Sequence, residues 1–322
     1  MRRCSERWPL HPIPLWEESL SSWLHRLAAA YWMPLGKWFE AVFHEKVPDD
    51  YTLDTNPSYA LLTRLSLGTG FSMNHLYRMT AKAYMPWITD GLNQDGLNLF
   101  SDYFDQSFDL LPWRSCNESD CCRNFFPKKV IPWLRKNKRP VICMRCIETD
   151  SIPYLRIFWR LAIFGSCPKH KIRLIEYPVN WHKKIIPSRE IQEADDDVIY
   201  VDKLSLEVIT TDCVLLWPDR RLNAAIYCRW LRLLIEDLFC ISHHREDIDC
   251  VWYSVEMQFR LGHWGDFYYE ALSLKDQYRI LKIIGFILRR LPTIMDADSF
   301  VSKLKKPFWF RSYGRRRPIY FY

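Results

Sequence analysis

From Glu17 onward, apolar residues return at spacings of three or four: Leu20, Trp23, Leu24, Leu27 and Tyr31 share one face, as on an amphipathic helix. Pro34 interrupts the stripe, and Trp38, Phe39, Val42 and Phe43 predict a short second helix. A third is expected from about Pro57, with Asn56 as its cap and Leu61, Leu62 and Leu65 facing inward until Gly68 and Gly70 punctuate it. Ser72 then caps a fourth helix carrying Met73, Leu76, Tyr77 and Met79. Two short helices joined by a glycine-containing turn have the form of a helix-turn-helix unit, and also of a plain helical hairpin packing its own core. Asn74, His75 and Arg78 are a thin set of side chains for reading bases.

The pattern weakens from Ser101 to Arg139, where Lys128, Lys129, Arg135, Lys136, Lys138 and Arg139 gather. Glu190, Glu193, Asp195, Asp196, Asp197 and Asp202 then mark residues 188–203 as an acidic, solvated connector. Helical periodicity resumes with Leu222, Ile226, Trp230, Leu233, Leu234 and Leu238. Ser273 and Asp276 form a capping-box start for a helix bearing Tyr278, Leu281, Ile284, Ile287, Leu288 and Leu291. The expected architecture is mainly α. It comprises an N-terminal helical domain with the helix-turn-helix-like unit (1–110), a zinc-finger or ribbon segment (111–187), the connector, and a C-terminal helical domain (204–322).

Chemistry concentrates in one place. Cys143-Met-Arg-Cys146 and Cys167-Pro-Lys-His170 are C-x-x-C and C-x-x-H pairs with twenty residues between them. Each pair can fold as a knuckle, and two knuckles supply the four soft ligands that tetrahedral Zn²⁺ prefers, with no position left for water. The site so predicted is one structural Zn²⁺ on Cys143, Cys146, Cys167 and His170. Between the pairs, Pro153 is expected to open a helix with Tyr154, Ile157, Phe158, Leu161 and Ile163 or Phe164 on its apolar face and Arg156 and Arg160 elsewhere. Beyond His170, Ile172 and Leu174 alternate with Lys171 and Arg173 as in a short strand. Cys240, His243, His244 and Cys250 are a weaker second set, and Cys116, Cys121 and Cys122 weaker still.

Composition narrows the function. Ten glycines in 322 residues leave no P-loop or dinucleotide fingerprint, and neither an H-E-x-x-H nor a G-x-S-x-G motif is present. No catalytic motif is recognisable, so an enzyme is not expected. Eleven cysteines and the lack of any long apolar run fit a cytoplasmic protein whose thiols are ligands or core residues, with no membrane span. The net charge of +7 is the difference of 45 basic and 38 acidic residues, so local clusters matter more than the total. The densest is the tail, where Lys303, Lys305, Lys306, Arg311, Arg315, Arg316 and Arg317 interleave with Phe308, Trp309, Phe310 and Tyr313. Such a tail can follow a nucleic-acid backbone or dock on an acidic protein surface.

Pro12-Ile13-Pro14, followed by Glu18-Ser-Leu-Ser-Ser-Trp23-Leu-His-Arg26-Leu27, resembles the N-terminal signature of the TniQ family. Asp150-Ser-Ile-Pro153-Tyr154-Leu155-Arg156, Trp159-Arg160-Leu161 and the two ligand pairs resemble that family's zinc region in the same order, over roughly residues 11–176. A further C-x-x-C that many members carry is replaced here by Leu174 to Asn180. The resemblance implies a non-catalytic target-selection adaptor of transposition that recruits an AAA+ regulator (TnsC-like), which brings in the transposase. It also implies a homodimer attached to an RNA-guided CRISPR effector, Cascade with its guide RNA, in a bacterial cytoplasm. The other reading is direct, sequence-specific DNA binding, either TnsD-like or as a zinc-containing regulator.

Overall fold

The computed structural model describes residues 7–84, 133–135, 139–177, 191–217, 269–294 and most of 220–238. Helix α1 (Leu20–Ala30) starts at Ser19, whose side chain accepts the Ser22 amide. Pro34 precedes α2 (Leu35–Phe43), and Asp49 caps α3 (Asp50–Thr55) through the Thr52 amide at 3.0 Å. Ser58, rather than the expected Asn56, caps α4 (Tyr59–Thr69), because its hydroxyl reaches the Leu61 amide. Gly70 turns the chain in the left-handed region, and Ser72 caps α5 (Met73–Arg78) as expected. Leu20, Trp23, Leu24 and Leu27 of α1 meet Trp38, Phe39, Phe43, Leu53, Leu65 and Leu76 in one buried core. The segment before α1 straps this unit. Trp8 packs edge-on against Trp38 and lies on Gly68, where an added Cβ would sit 2.3 Å from the indole.

The rest of the described chain shares a second core running from Ala81 through the ligand segment to Leu288. In order it contains β1 (Val141–Ile142), α6 (Met144–Thr149), a 3-10 turn (Ile157–Arg160), β2 (Ile175–Glu176), α7 (Asp196–Thr211), β3 (Cys213–Trp217) and β4 (Arg220–Asn223). Helical residues follow between 224 and 238, then a 3-10 turn (Tyr269–Ala271) and α8 (Leu274–Ile294). β1 pairs antiparallel with β2, and β3 with β4. Ser273 caps α8, its Oγ taking the Asp276 amide at 3.2 Å, and the same hydroxyl donates to the Asp276 carboxylate at 2.5 Å.

Several expectations are corrected. Residues 188–203 are not a solvated connector where they are described. Asp195 caps α7, Asp196 and Asp197 occupy its first turn, and Asp202 is fully buried. The acids there serve the positive end of a helix and a core polar contact. Asp202 accepts the amides of Gly165 and Ser166 at 3.0 and 2.6 Å, and burial pushes its carboxyl up to about 7. Arg135, read as part of a surface basic cluster, is buried and donates to the carbonyls of Trp159 and Phe164 and to Gln277. Pro153 opens no α-helix: Tyr154 and Leu155 run into the 3-10 turn, and every residue from Tyr154 to Cys167 is buried. A segment covered on all sides has no polar face, so helical periodicity was a false cue there. Leu222 lies in β4, not on the helix after it. The Ile172/Leu174 alternation holds, with both buried and Lys171 and Arg173 exposed.

The two cores are welded by buried polar contacts. Glu18 and Arg156 form an antiparallel bridge, with the Ser19 amide donating to the Leu155 carbonyl and the Ile157 amide to the Glu17 carbonyl, both at 2.8 Å. Ser22 Oγ accepts the Leu155 amide and donates to Glu18, whose carboxylate also takes Arg26 from two nitrogens. Trp23 Nε1 and Arg26 reach back to the carbonyls of Pro12 and Ile13. Arg160 Nε donates to Asp54 at 2.9 Å, and Asp54 also holds the amide and hydroxyl of Ser21. Both partners are at least 94% buried. Removing one member of such a pair leaves a buried charge unmatched, so Arg160→Ala should cost about 3–5 kcal/mol. The double variant Asp54→Asn, Arg160→Met should cost less than the sum of its single changes. Denaturant titrations of all four proteins measure this, and simple additivity would contradict the coupling.

Candidate metal centre

β1 delivers the chain to Cys143, which is the N-cap of α6. Its sulfur accepts the Cys146 amide at 3.4 Å, closing the first knuckle. The second knuckle is closed from the backbone. The Lys171 amide returns to the Cys167 carbonyl at 2.8 Å, the Cys167 amide reaches the Ile172 carbonyl at 2.9 Å, and Lys171 adopts φ 54°. Amides of His170 and Lys169 point at the Cys167 sulfur. Pairing of Val141 with Glu176 and Ile142 with Ile175 brings the two knuckles face to face.

The four predicted ligands converge. Cys143, Cys146 and Cys167 are buried and His170 half-buried, with all four ligand atoms within 4.8 Å of one another. Cys146 Sγ lies 3.6 Å from Cys167 Sγ, and His170 Nδ1 lies 3.4, 3.3 and 3.9 Å from the sulfurs of Cys143, Cys146 and Cys167. Metal–sulfur bonds of about 2.3 Å and metal–nitrogen bonds of about 2.0 Å give tetrahedral edges of roughly 3.5–3.8 Å. The observed separations bracket those edges, so one tetrahedral ion fits.

The protons point the same way. S–H donation from Cys143 and then Cys146 holds the Cys167 thiol far below its ordinary range. Cys146 is pushed up by its contacts with Cys143 and Cys167. Three thiols this close compete for shared protons, and a divalent cation replaces those protons with one charge that suits all three. With four protein ligands the coordination is complete, so the centre is suited to holding structure and not to activating water. Arg156, paired with Asp150 at 2.7 Å, lies within electrostatic reach of Cys146.

The joint between the cores and this centre contain the signature residues found in the sequence. A family model described as TniQ matches residues 9–174, just over half of the 322 residues. The chain belongs to the TniQ family. No curated protein and no solved structure matches it. As a TniQ protein it is associated with transposition and target selection, and the family is non-catalytic. The family's signature positions are accounted for in physical terms by the TniQ fold itself: Glu18, Ser22, Trp23 and Arg26 hold the strap and joint, and Arg156 and Arg160 hold carboxylates.

The candidate helix-turn-helix pair is α4 and α5, joined by Gly70–Ser72, with Asn74, His75, Tyr77 and Arg78 exposed on α5. The weaker metal sets, Cys240, His243, His244 and Cys250 and then Cys116, Cys121 and Cys122, lie outside the described residues. So do the tail cations Lys303, Lys305, Lys306, Arg311, Arg315, Arg316 and Arg317. Among the described residues no helix is long and apolar enough to cross a membrane. Sequence reasoning missed α3 and Asp54. Asp49, four residues ahead of Leu53, was the available cap signal.

Proposed function

We propose that this TniQ protein is the adaptor of an RNA-guided transposition system. One surface holds Cascade with its guide RNA and another presents to a TnsC-like AAA+ regulator, with the chain acting as a homodimer in the bacterial cytoplasm. The ion on Cys143, Cys146, Cys167 and His170 is Zn²⁺, as three thiolates and one imidazole in a tetrahedron favour. Its role is to fix the N-terminal helical unit relative to the C-terminal helices, so that the two partners are held at a set spacing. The basic, aromatic tail supplies further partner or nucleic-acid contact.

One observation carries the preference for guided over direct targeting. Helix α5 has six residues and exposes a single full charge, Arg78, beside Asn74, His75 and Tyr77. Direct readers of duplex need several phosphate contacts to set register before base contacts can specify sequence. The short turn between α4 and α5 favours the alternative, a TnsD-like reader. A reconstituted insertion assay with transposase, regulator and a programmable effector separates the two. Insertion sites are expected to move with the guide. Insertion at one fixed sequence whatever the guide, with tight and steeply salt-dependent binding of that duplex by the isolated protein, would favour the direct reader.

A further inference from the structure

The second knuckle is the turn of a short hairpin. The Leu174 amide reaches the Gly165 carbonyl at 3.1 Å, and Ser166 bridges Arg173. On the outer edge, the Arg173 amide donates to the Gln192 carbonyl and the Ala194 amide to the Lys171 carbonyl, both at 2.9 Å. The inner strand lies against α7 and α8: a Cβ added to Gly165 would sit 2.9 Å from Val198 Cγ1 and 3.1 Å from Leu281 Cδ1. That close approach puts the hairpin within reach of Asp202. Its Oδ1 takes the Gly165 amide, and its Oδ2 takes both the amide and the hydroxyl of Ser166. Asp202 and Ser166 are fully buried. Val198, Asp202, Leu281 and the 192–194 edge all lie beyond residue 174, where the family match ends.

We propose that Asp202 is a positioning residue of the metal centre, so that the α7 side of the chain sets how tightly the ion is held. The Ser166 amide stands one residue ahead of Cys167, and only the dihedrals of these two residues separate that anchor from the sulfur. Coordination requires each donor atom to lie within a few tenths of an ångström of its place. Partners that fix a ligand from outside carry about 10–100-fold of metal affinity. Both amides and the hydroxyl donate, and a carboxylate accepts all three through charge-assisted bonds. An amide side chain cannot reproduce this, because one of its two ends donates. The linkage runs both ways: an ion that binds better when Asp202 grips the hairpin also fastens α7 to the hairpin when bound. The inference rests on the reading that Cys143, Cys146, Cys167 and His170 carry an ion.

The test titrates Zn²⁺ into the full-length protein against a chromophoric chelator and records the visible absorption of the Co²⁺-loaded form. Asp202→Asn should still take up the ion, bind it about tenfold or more weakly, and shift the Co²⁺ ligand-field bands, which report the angles among the donors. Ser166→Ala is a milder change that deletes one of the three donors. It should weaken binding several-fold, and it decides the matter if Asp202→Asn does not fold. Val208→Ala, which opens a cavity further along α7, is the control: its melting temperature should fall while affinity and bands stay with the parent's. Parent-like affinity and bands in Asp202→Asn, or in Ser166→Ala where the first does not fold, would overturn the proposal. So would equal weakening in Val208→Ala, which would make Asp202 a contributor to stability alone. A parent that takes up no ion overturns the metal reading, and the proposal with it; a parent that binds while the variants match it overturns the proposal only.

Discussion

Cys146→Ser is expected to abolish metal binding and unfold the segment around it. The serine hydroxyl is a poor ligand where a thiolate is needed, and three remaining donors cannot close the tetrahedron. Structural zinc contributes roughly 10 kcal/mol or more in small zinc modules, comparable to the whole stability of a domain at about 5–15 kcal/mol. β1 and β2 are two residues each, so strand pairing alone holds the knuckles in register only weakly. Loss should spread, because Ser166 and Gly165, next to Cys167, carry the contact to Asp202 on α7. Elemental analysis should find one bound metal ion per chain in the parent and none in the variant, and the thermal transition should be lost or shifted far down. Cys228→Ser is the control: that thiol is buried in the same core but is not among the four converging ligands, and its replacement should leave metal content unchanged. A Cys146→Ser protein that keeps the parent's metal content, or melts as the parent does, would mean the four residues are ordinary core.

Gly285→Ala should destabilise the protein by about 3 kcal/mol or more, beyond the usual range for one added methyl in a core. The added Cβ would lie 2.0 Å from the Asp197 carbonyl oxygen and 2.5 Å from its carbon. Both are backbone atoms of the first turn of α7, so no side chain can swing away to relieve the overlap. Helix propensity opposes this, since alanine in place of glycine stabilises a helix by about 1 kcal/mol. The steric term must therefore exceed that gain, and the sign of the measured change reads the competition directly. Forcing α7 from α8 would also stretch Arg289–Asp197 at 3.0 Å and Lys282–Asp195 at 2.7 Å. Guanidinium titration gives the number. An unchanged or higher midpoint would show that the two helices are not in such close contact.

What could be read from the sequence was what repeats locally. α1 has one polar and one apolar face, so Leu20, Trp23, Leu24 and Leu27 announced it. The metal ligands come in pairs three residues apart, and that spacing is a local property of a knuckle. Where the physics is long-range, the sequence was silent or misleading. Asp54 and Arg160 are 106 positions apart, and nothing local marks a buried carboxylate or says which arginine answers it. Arg135, Arg156 and Arg160 looked like surface residues because charge is normally solvated, yet each is buried with an oxygen partner. The acids of 193–202 looked like a solvated run for the same reason, although capping and a fully buried aspartate use them individually.

The weld between the two cores has a consequence for how such a chain drifts over time. Asp54 and Arg160 hold each other inside the protein, so a lineage that changes either one alone first passes through a form carrying a stranded interior charge. Surface positions can wander by single neutral steps. This pair can be exchanged only by two changes close together, or after some other change has made the protein stable enough to tolerate the intermediate. The joint is therefore expected to behave as a slow clock within a faster-changing sequence, and the partner-facing surfaces can diversify around it while the angle between the two halves is inherited.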